Sequence, residues 1–250
     1  MPDSVTLAND LDRTRRTRKL IEELLTNPTQ LGPDFQPVRR FADGTLVAWK
    51  ARGRGQPGSD VADTLSLLSE ARSLGLVERL DWAFRCLAMD TALEAGATAI
   101  HITPEPETFR TACPPRLALS FNRGKRELAI GAELHSDAFV DLFRLRAAVE
   151  EYRQWGWTMI LADVSETTEA AAALSWLLPE QVHVDLADRA RLAAPETARL
   201  LSAATELGAE ILAVGVDTER HRDEAVALGA TSGRGRLIGA AGPLPTNGPV

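Results

Sequence analysis

Two apolar strands, read from Thr158 to Asp163 and from Val182 to Asp185, end in side chains able to do chemistry: Asp163 on the first, His183 and Asp185 on the second. Between them lies an Ala- and Leu-rich helix, about Glu169 to Leu178, stopped by Pro179. Strand, helix and strand of this length make a βαβ unit, parallel and right-handed almost without exception, and reactive groups on such units stand where the strands end. His101 and Glu133 fall near the ends of two further apolar strands. Imidazole and carboxylate together suit Zn²⁺ or Fe²⁺ better than Mg²⁺. That makes His101, His183, Glu133, Asp163 and Asp185 weak metal-ligand candidates, the plainer alternative being hydrogen-bonded filler histidines and helix-capping aspartates. A second chemistry is anion binding. Lys50, Arg52 and Arg54 open the Gly- and Arg-rich stretch 50–59, and Arg234 and Arg236 add charge late in the chain. Exposed amides and guanidinium groups in 50–59 suit an anion, or the stretch is a flexible surface loop. No Ser or Cys sits in a nucleophile turn.

Composition narrows the class. At 44% hydrophobic and 25% charged, the 250-residue chain is that of an ordinary globular protein. A net charge of −7 argues against direct nucleic-acid binding. No apolar run approaches the roughly 18 residues of a spanning helix, and the N-terminus is polar where a signal peptide is apolar. A cytoplasmic protein with no membrane contact is expected, and Cys86 and Cys113 read as structural thiols without metal spacing.

The positioning elements follow from pattern. A helix is expected from about Asp10 to Thr26, ended by Asn27-Pro28. Short strands Asp34 to Val38 and Thr45 to Trp49 flank the turn Asp43-Gly44, and helices follow at about Ser59 to Ser73 and Leu76 to Glu94. From there one unit recurs: helix, glycine stop, apolar strand. Gly96, Gly156, Gly208 and Gly229 precede strands at Thr98 to Thr103, Thr158 to Asp163, Glu210 to Val216 and about Gly235 to Ile238, with further strands at Leu117 to Phe121 and Glu127 to Glu133. The number approaches eight, so a TIM-like (β/α)8 barrel is favoured over an open sheet. The expected division is a polar arm and helix start at 1–18, one barrel domain at 19–245 and a loose tail at 246–250. Tyr152, Trp155 and Trp157 are a candidate contact surface, or core.

Several segments in this order resemble the EAL domain, the bacterial phosphodiesterase module that opens cyclic di-GMP. Phe35-Gln36-Pro37-Val38 resembles its opening strand, and Leu46 to Arg54 lies where the name-giving Glu-Ala-Leu and a following Arg belong. Ala213-Val-Gly-Val-Asp-Thr218 resembles Ala-Glu-Gly-Val-Glu-Thr, and Gly233 to Gly239 the last strand; the strands ending at Asp163 and Asp185 are similar too. The resemblance implies a TIM-like barrel of EAL type whose first strand is antiparallel to the rest. It also implies Mg²⁺ or Mn²⁺ held by carboxylates and an Asn. At the matching positions stand Lys50 for the name-giving Glu, His101 for the Asn, Ala162 for the first Asp of Asp-Asp-Phe-Gly, His183 for a Lys and Val214 for the late Glu. Gly131 matches the fourth-strand Glu directly, with Glu133 two residues beyond. Hard cations need oxygen ligands, so no metal, no cofactor and no cyclic di-GMP hydrolysis is expected. Losing a metal that lowers the pKa of water from 15.7 to about 7 removes roughly 12 kcal/mol of help in making hydroxide.

Three roles remain open on this reading. The first is a catalytically inactive regulatory protein in bacterial signalling that binds a protein partner, with a homodimer among the expected assemblies. The second is a non-hydrolysing receptor for cyclic di-GMP or another nucleotide, using Gln36, Lys50, Arg52, Arg54, Asp163, Asp185, Arg234 and Arg236. The third is a hydrolase on a rebuilt His/Asp metal site.

Overall fold

The computed structural model describes residues 4–27, 31–55, 64–162 and 168–245. Eight strands close into one barrel in chain order: β1 (Gly32–Arg40), β2 (Leu46–Arg54), β3 (Ala99–Ile102), β4 (Ala129–Leu134), β5 (Thr158–Leu161), β6 (Gln181–Asp185), β7 (Glu210–Val214) and β8 (Ser232–Arg234). β2 to β8 run parallel, while β1 pairs antiparallel with both β2 and β8. The reason for the reversed first strand is local. Asp43 Oδ1 accepts the Thr45 N–H at 2.9 Å and Gly44 takes φ 72°, closing a hairpin that a parallel crossover could not make in so few residues.

Nine helices appear among the described residues: α1 (Ser4–Thr26), α2 (Thr64–Ser73), α3 (Val77–Glu94), α4 (Ala118–Glu127), α5 (Leu142–Gln154), α6 (Thr168–Leu177), α7 (Arg189–Leu192), α8 (Pro195–Glu206) and α9 (Glu219–Ala227). The main core lies between strands and helices, through Ile100, Ile130, Met159, Leu161 and Val182 on one side and Trp82, Leu145, Leu177 and Leu200 on the other. A smaller core joins α1, α2 and α3 through Ile21, Leu24, Leu25, Leu67 and Leu80. The glycine stops are in place: Gly96 at φ 74° and Gly208 at φ 88° follow helix ends and turn the chain back toward the sheet.

Three expectations are corrected and one open alternative is decided. Residues 117–121 are no strand: Pro115–Leu117 forms a 3-10 turn that runs into α4. The alternating Leu117, Leu119 and Phe121 imitate a strand, yet on the helix Phe121 is buried and Leu119 is 83% exposed. The last strand is Ser232–Arg234, and 235–238 is a turn in which the Gly235 carbonyl accepts from Ile238 and Gly239. The Gly- and Arg-rich stretch begins as strand, since β2 continues through Arg54, and 56–59 lies outside the described residues. Tyr152 and Trp157 are buried, and Trp155 is partly buried against them with Phe121 edge-on at 5.0 Å, so this group is core. The expected tail at 246–250 and Asp163 also lie outside the described residues. No described helix is long and apolar enough to cross a membrane.

Candidate functional site

β2 alternates so that Lys50 turns into the barrel, and the register Lys50, His101, Gly131 brings three strands level at the site. Two residues on, Glu133 shares the inward side of β4, as His183 does on β6 and Arg234 on β8. All four ionisable neighbours of Glu133 within this ring are buried: Lys50, His101, His183 and Arg234.

The Glu133 carboxylate is 0% exposed and fully engaged. Arg234 grips it with both terminal nitrogens, Nη1 to Oε1 at 2.5 Å and Nη2 to Oε2 at 3.3 Å. Lys50 Nζ stands 2.7 Å from Oε2 and donates to Thr103 Oγ1 at 2.5 Å. His101 Nδ1 is 3.6 Å from Oε1, and His135 Nε2 is 3.9 Å from Oε2 at the rim. Burial alone would push the Glu133 carboxyl up, but the Arg234 and Lys50 charges outweigh it and hold the group well below the usual carboxylate range. Burial pulls Lys50 down to about 8, with Glu133 resisting and Arg234 assisting. Burial likewise keeps His101 below its ordinary value and His183 well below it, so both imidazoles are neutral at pH 7.

His101, Glu133 and His183 place one ligand atom each within 4.8 Å of the others, which is metal-like spacing. The ion pairs weigh against that use. A divalent ion would have to displace Lys50 and Arg234 from Glu133 and leave two cations buried without a counter-charge, a loss of several kcal/mol per ion. Nor is there room for a carboxylate at 131, where a Cβ would sit 2.6 Å from Ile160 Cδ1 and 2.7 Å from His101 Cδ2. Among the described residues, the one carboxylate of the His101, Glu133 and His183 set is already paired with two cations.

A cavity of about 920 Å³ opens from this floor and is lined by Lys50, Arg52 and Arg234, by Leu68, Phe84 and Ile102, and by Asp81, Glu105 and Asp137. Of the proposed binding residues it gathers Lys50, Arg52 and Arg234. Four others are engaged elsewhere, and Asp163 lies outside the described residues. Gln36 Nε2 donates to the Gly239 carbonyl at 3.2 Å, Arg54 Nε lies 3.6 Å from Asp34 Oδ2, and Arg236 Nη2 pairs with Asp217 at 3.0 Å. Asp185 Oδ1 accepts from Ala187 N at 2.9 Å and closes a turn after β6.

Sequence reasoning missed the far wall. On α3, Asp81 and Arg85 form a buried pair at 2.8 Å, with Arg85 stacked 4.0 Å over Trp82. Asp81 Oδ2 also accepts from Thr108 Oγ1 at 2.9 Å and Glu105 N at 3.2 Å. The signal was present, because an acid and a base four apart on the apolar face of a helix must pair. Arg72 of α2 ties Glu105, at 2.7 Å, and Glu107 to the same rim. Burial, then the Asp81 charge, raises the Glu105 carboxyl to about 7 from an ordinary 4.5. A carboxyl raised on folding binds protons the unfolded chain has released, so its contribution declines as pH rises from about 4.5 to about 7. Glu105→Gln should therefore lose less stability than wild type over that interval, measured as urea midpoints at successive pH values. Parallel curves would refute the assignment.

A family model described as EAL domain matches residues 18–241. Among solved structures, the Xanthomonas citri FimX EAL domain in complex with c-diGMP superposes at TM-score 0.77 and 16% identity, covering 95% of this chain and 97% of that one. The Pseudomonas aeruginosa FimX EAL domain bound to c-di-GMP gives 0.75 at 15% identity over 92% and 98%. The PaMucR phosphodiesterase, as a c-di-GMP complex, gives 0.72 at 18% over 90% and 98%. At these identities the likeness is one of fold. Compared by sequence with curated proteins, the chain matches none.

Proposed function

The chain belongs to the EAL domain family, and from that premise we propose that it is a non-hydrolysing regulatory barrel of cyclic di-GMP signalling, one that acts in the cytoplasm by binding another protein. One observation carries the reading: the carboxylate of Glu133, at the barrel floor, is held by Lys50 at 2.7 Å and by both terminal nitrogens of Arg234. The family's divalent ion would polarise the phosphodiester and supply the attacking hydroxide. Here an ammonium stands at the name-giving position, and Ala162 and Val214 stand where the resemblance puts two more oxygen ligands. The described groups at the floor bind and neutralise, and both histidines there are buried beside cations. A contact surface is on hand at the start of α5, where Val140 is 88% and Phe143 71% exposed.

A second reading, a receptor for cyclic di-GMP or another nucleotide, is favoured by Arg52. Its guanidinium makes no hydrogen bond or ion pair among the described residues, and it lines the same cavity as Lys50 and Arg234. One preparation tests both. Incubated with cyclic di-GMP and Mn²⁺ or Mg²⁺, the protein is expected to yield no linear dinucleotide above a blank by chromatography; appreciable turnover ends the main proposal. Calorimetry on the same material decides the receptor reading, with binding weakened roughly tenfold or more by Arg52→Ala if a charge-assisted bond of about 1.5–3 kcal/mol is lost. Absence of heat at high micromolar nucleotide leaves the protein partner, which should then appear in stoichiometric amount in a pull-down from the native cell.

A further inference from the structure

Lysine is scarce in this chain. Of 28 basic side chains, only Lys19, Lys50 and Lys125 are lysines, and the rest are arginines. Lys19 and Lys125 sit on the outer helices α1 and α4, whereas Lys50 is 4% exposed inside the barrel and lines the 920 Å³ cavity. As a partner for Glu133 an arginine would serve at least as well, being planar and bidentate, and Arg234 already fills that part. What a lysine adds at this place is a nitrogen that can lose its proton and act as a nucleophile.

We propose that Lys50 is a carbonyl-reactive amine, and that the cavity takes a small carbonyl compound bearing an anionic group, of the 2-oxo acid class, as a reversible imine. The surroundings match each part of such a ligand. Arg52, which makes no hydrogen bond or ion pair among the described residues, stands two residues along β2 from Lys50 and can take the carboxylate. Leu68, Phe84 and Ile102 line the same space and suit a short carbon chain. Thr103 Oγ1 and Glu133 Oε2 hold Nζ in place at 2.5 and 2.7 Å. Burial brings the ammonium down to about 8, so that roughly a tenth is free amine one unit lower, far more than for an exposed lysine.

The step is redox-neutral. The ammonium gives a proton to solvent or to an adjacent neutral imidazole, and the nitrogen lone pair forms the C–N bond while the C=O π pair moves to oxygen. That oxygen is protonated and leaves as water, and the nitrogen lone pair makes the C=N bond. Ammonium plus carbonyl compound becomes protonated imine plus water. Nitrogen is positive before the step and after it, and while it is neutral Arg234 still pairs with Glu133. Nothing here depends on whether a nucleotide is cleaved or bound, so failure of this proposal leaves the regulatory reading untouched.

The test uses the full chain with pyruvate and sodium cyanoborohydride, followed by peptide mapping. A reduced pyruvyl adduct is expected at Lys50, forming faster than at Lys19 or Lys125, accelerating between pH 7 and 8, and missing from Lys50→Arg, which keeps the cation. Should that variant fail to fold, the position of the wild-type adduct decides alone. With Arg52→Ala the labelling by pyruvate should fall several-fold while labelling by neutral propanal does not. Lys50 left unmodified under conditions that label Lys125 would overturn the site; equal labelling by pyruvate and propanal, indifferent to Arg52→Ala, would overturn the ligand class.

Discussion

Replacing Glu133 by leucine is expected to destabilise the barrel by about 3–5 kcal/mol, the usual effect of removing one partner from a buried charge cluster. Lys50 and Arg234, 4% exposed each, would remain in the interior with no counter-charge. For a chain of this size that corresponds to a melting temperature lower by roughly 10 °C. The triple variant Glu133→Leu, Lys50→Met, Arg234→Leu should recover most of the loss, because desolvating three ions costs about as much as their attraction returns. Chemical denaturation of wild type and the two variants measures this directly. A single variant within about 1 kcal/mol of wild type would mean that the two cations reach solvent and do not close the carboxylate, and the proposed loss of hydrolysis would lose its support.

A comparable effect is expected from Asp81→Leu on α3. Its carboxylate is 4% exposed and answers three groups at once, Arg85 at 2.8 Å, Thr108 Oγ1 at 2.9 Å and the Glu105 amide at 3.2 Å. Without it Arg85, 3% exposed, keeps the Trp82 ring but no anion. The expected loss is about 3 kcal/mol or more, and Asp81→Leu with Arg85→Met should restore part of it. The variant should also loosen the cavity rim, since Thr108 and Glu105 belong to the segment after β3 that Asp81 anchors. Amide hydrogen exchange at 104–111 reads this second consequence; unchanged protection there would show that Arg72, bridging Glu105 and Glu107, holds the rim alone.

Much of the fold was legible because its signals are local. A glycine after a helix and an apolar run after the glycine need no knowledge of distant residues, and β3, β5 and β7 were found that way, with β6 marked by the break at Pro179. Errors arose where a local pattern had two meanings. Leu117, Leu119 and Phe121 alternate as a strand would, yet the Pro114-Pro115 pair launches a helix and the barrel takes its fourth strand twelve residues later, at Ala129. The aromatic trio of Tyr152, Trp155 and Trp157 stayed open between contact surface and core, because composition does not reveal that Phe121 of α4 packs into it.

The candidate site divides in the same way. The amino-acid order alone determined that a barrel forms, that its first strand is turned back by a tight hairpin, and that Lys50, Ala162 and Val214 bring no oxygen to the strand ends. These follow from residue type and from spacing within one element. Only the folded chain decided which charges meet. Glu133 and Arg234 are 101 positions apart, and Lys50 reaches the same carboxylate from the opposite side of β3. Whether a carboxylate oxygen is open to a ligand or closed by a cation depends on which strands the barrel's closure sets side by side. For the same reason Gln36, Arg54, Asp185 and Arg236, plausible by type, proved to be occupied by neighbours, while Lys50, Arg52 and Arg234 were gathered around one cavity.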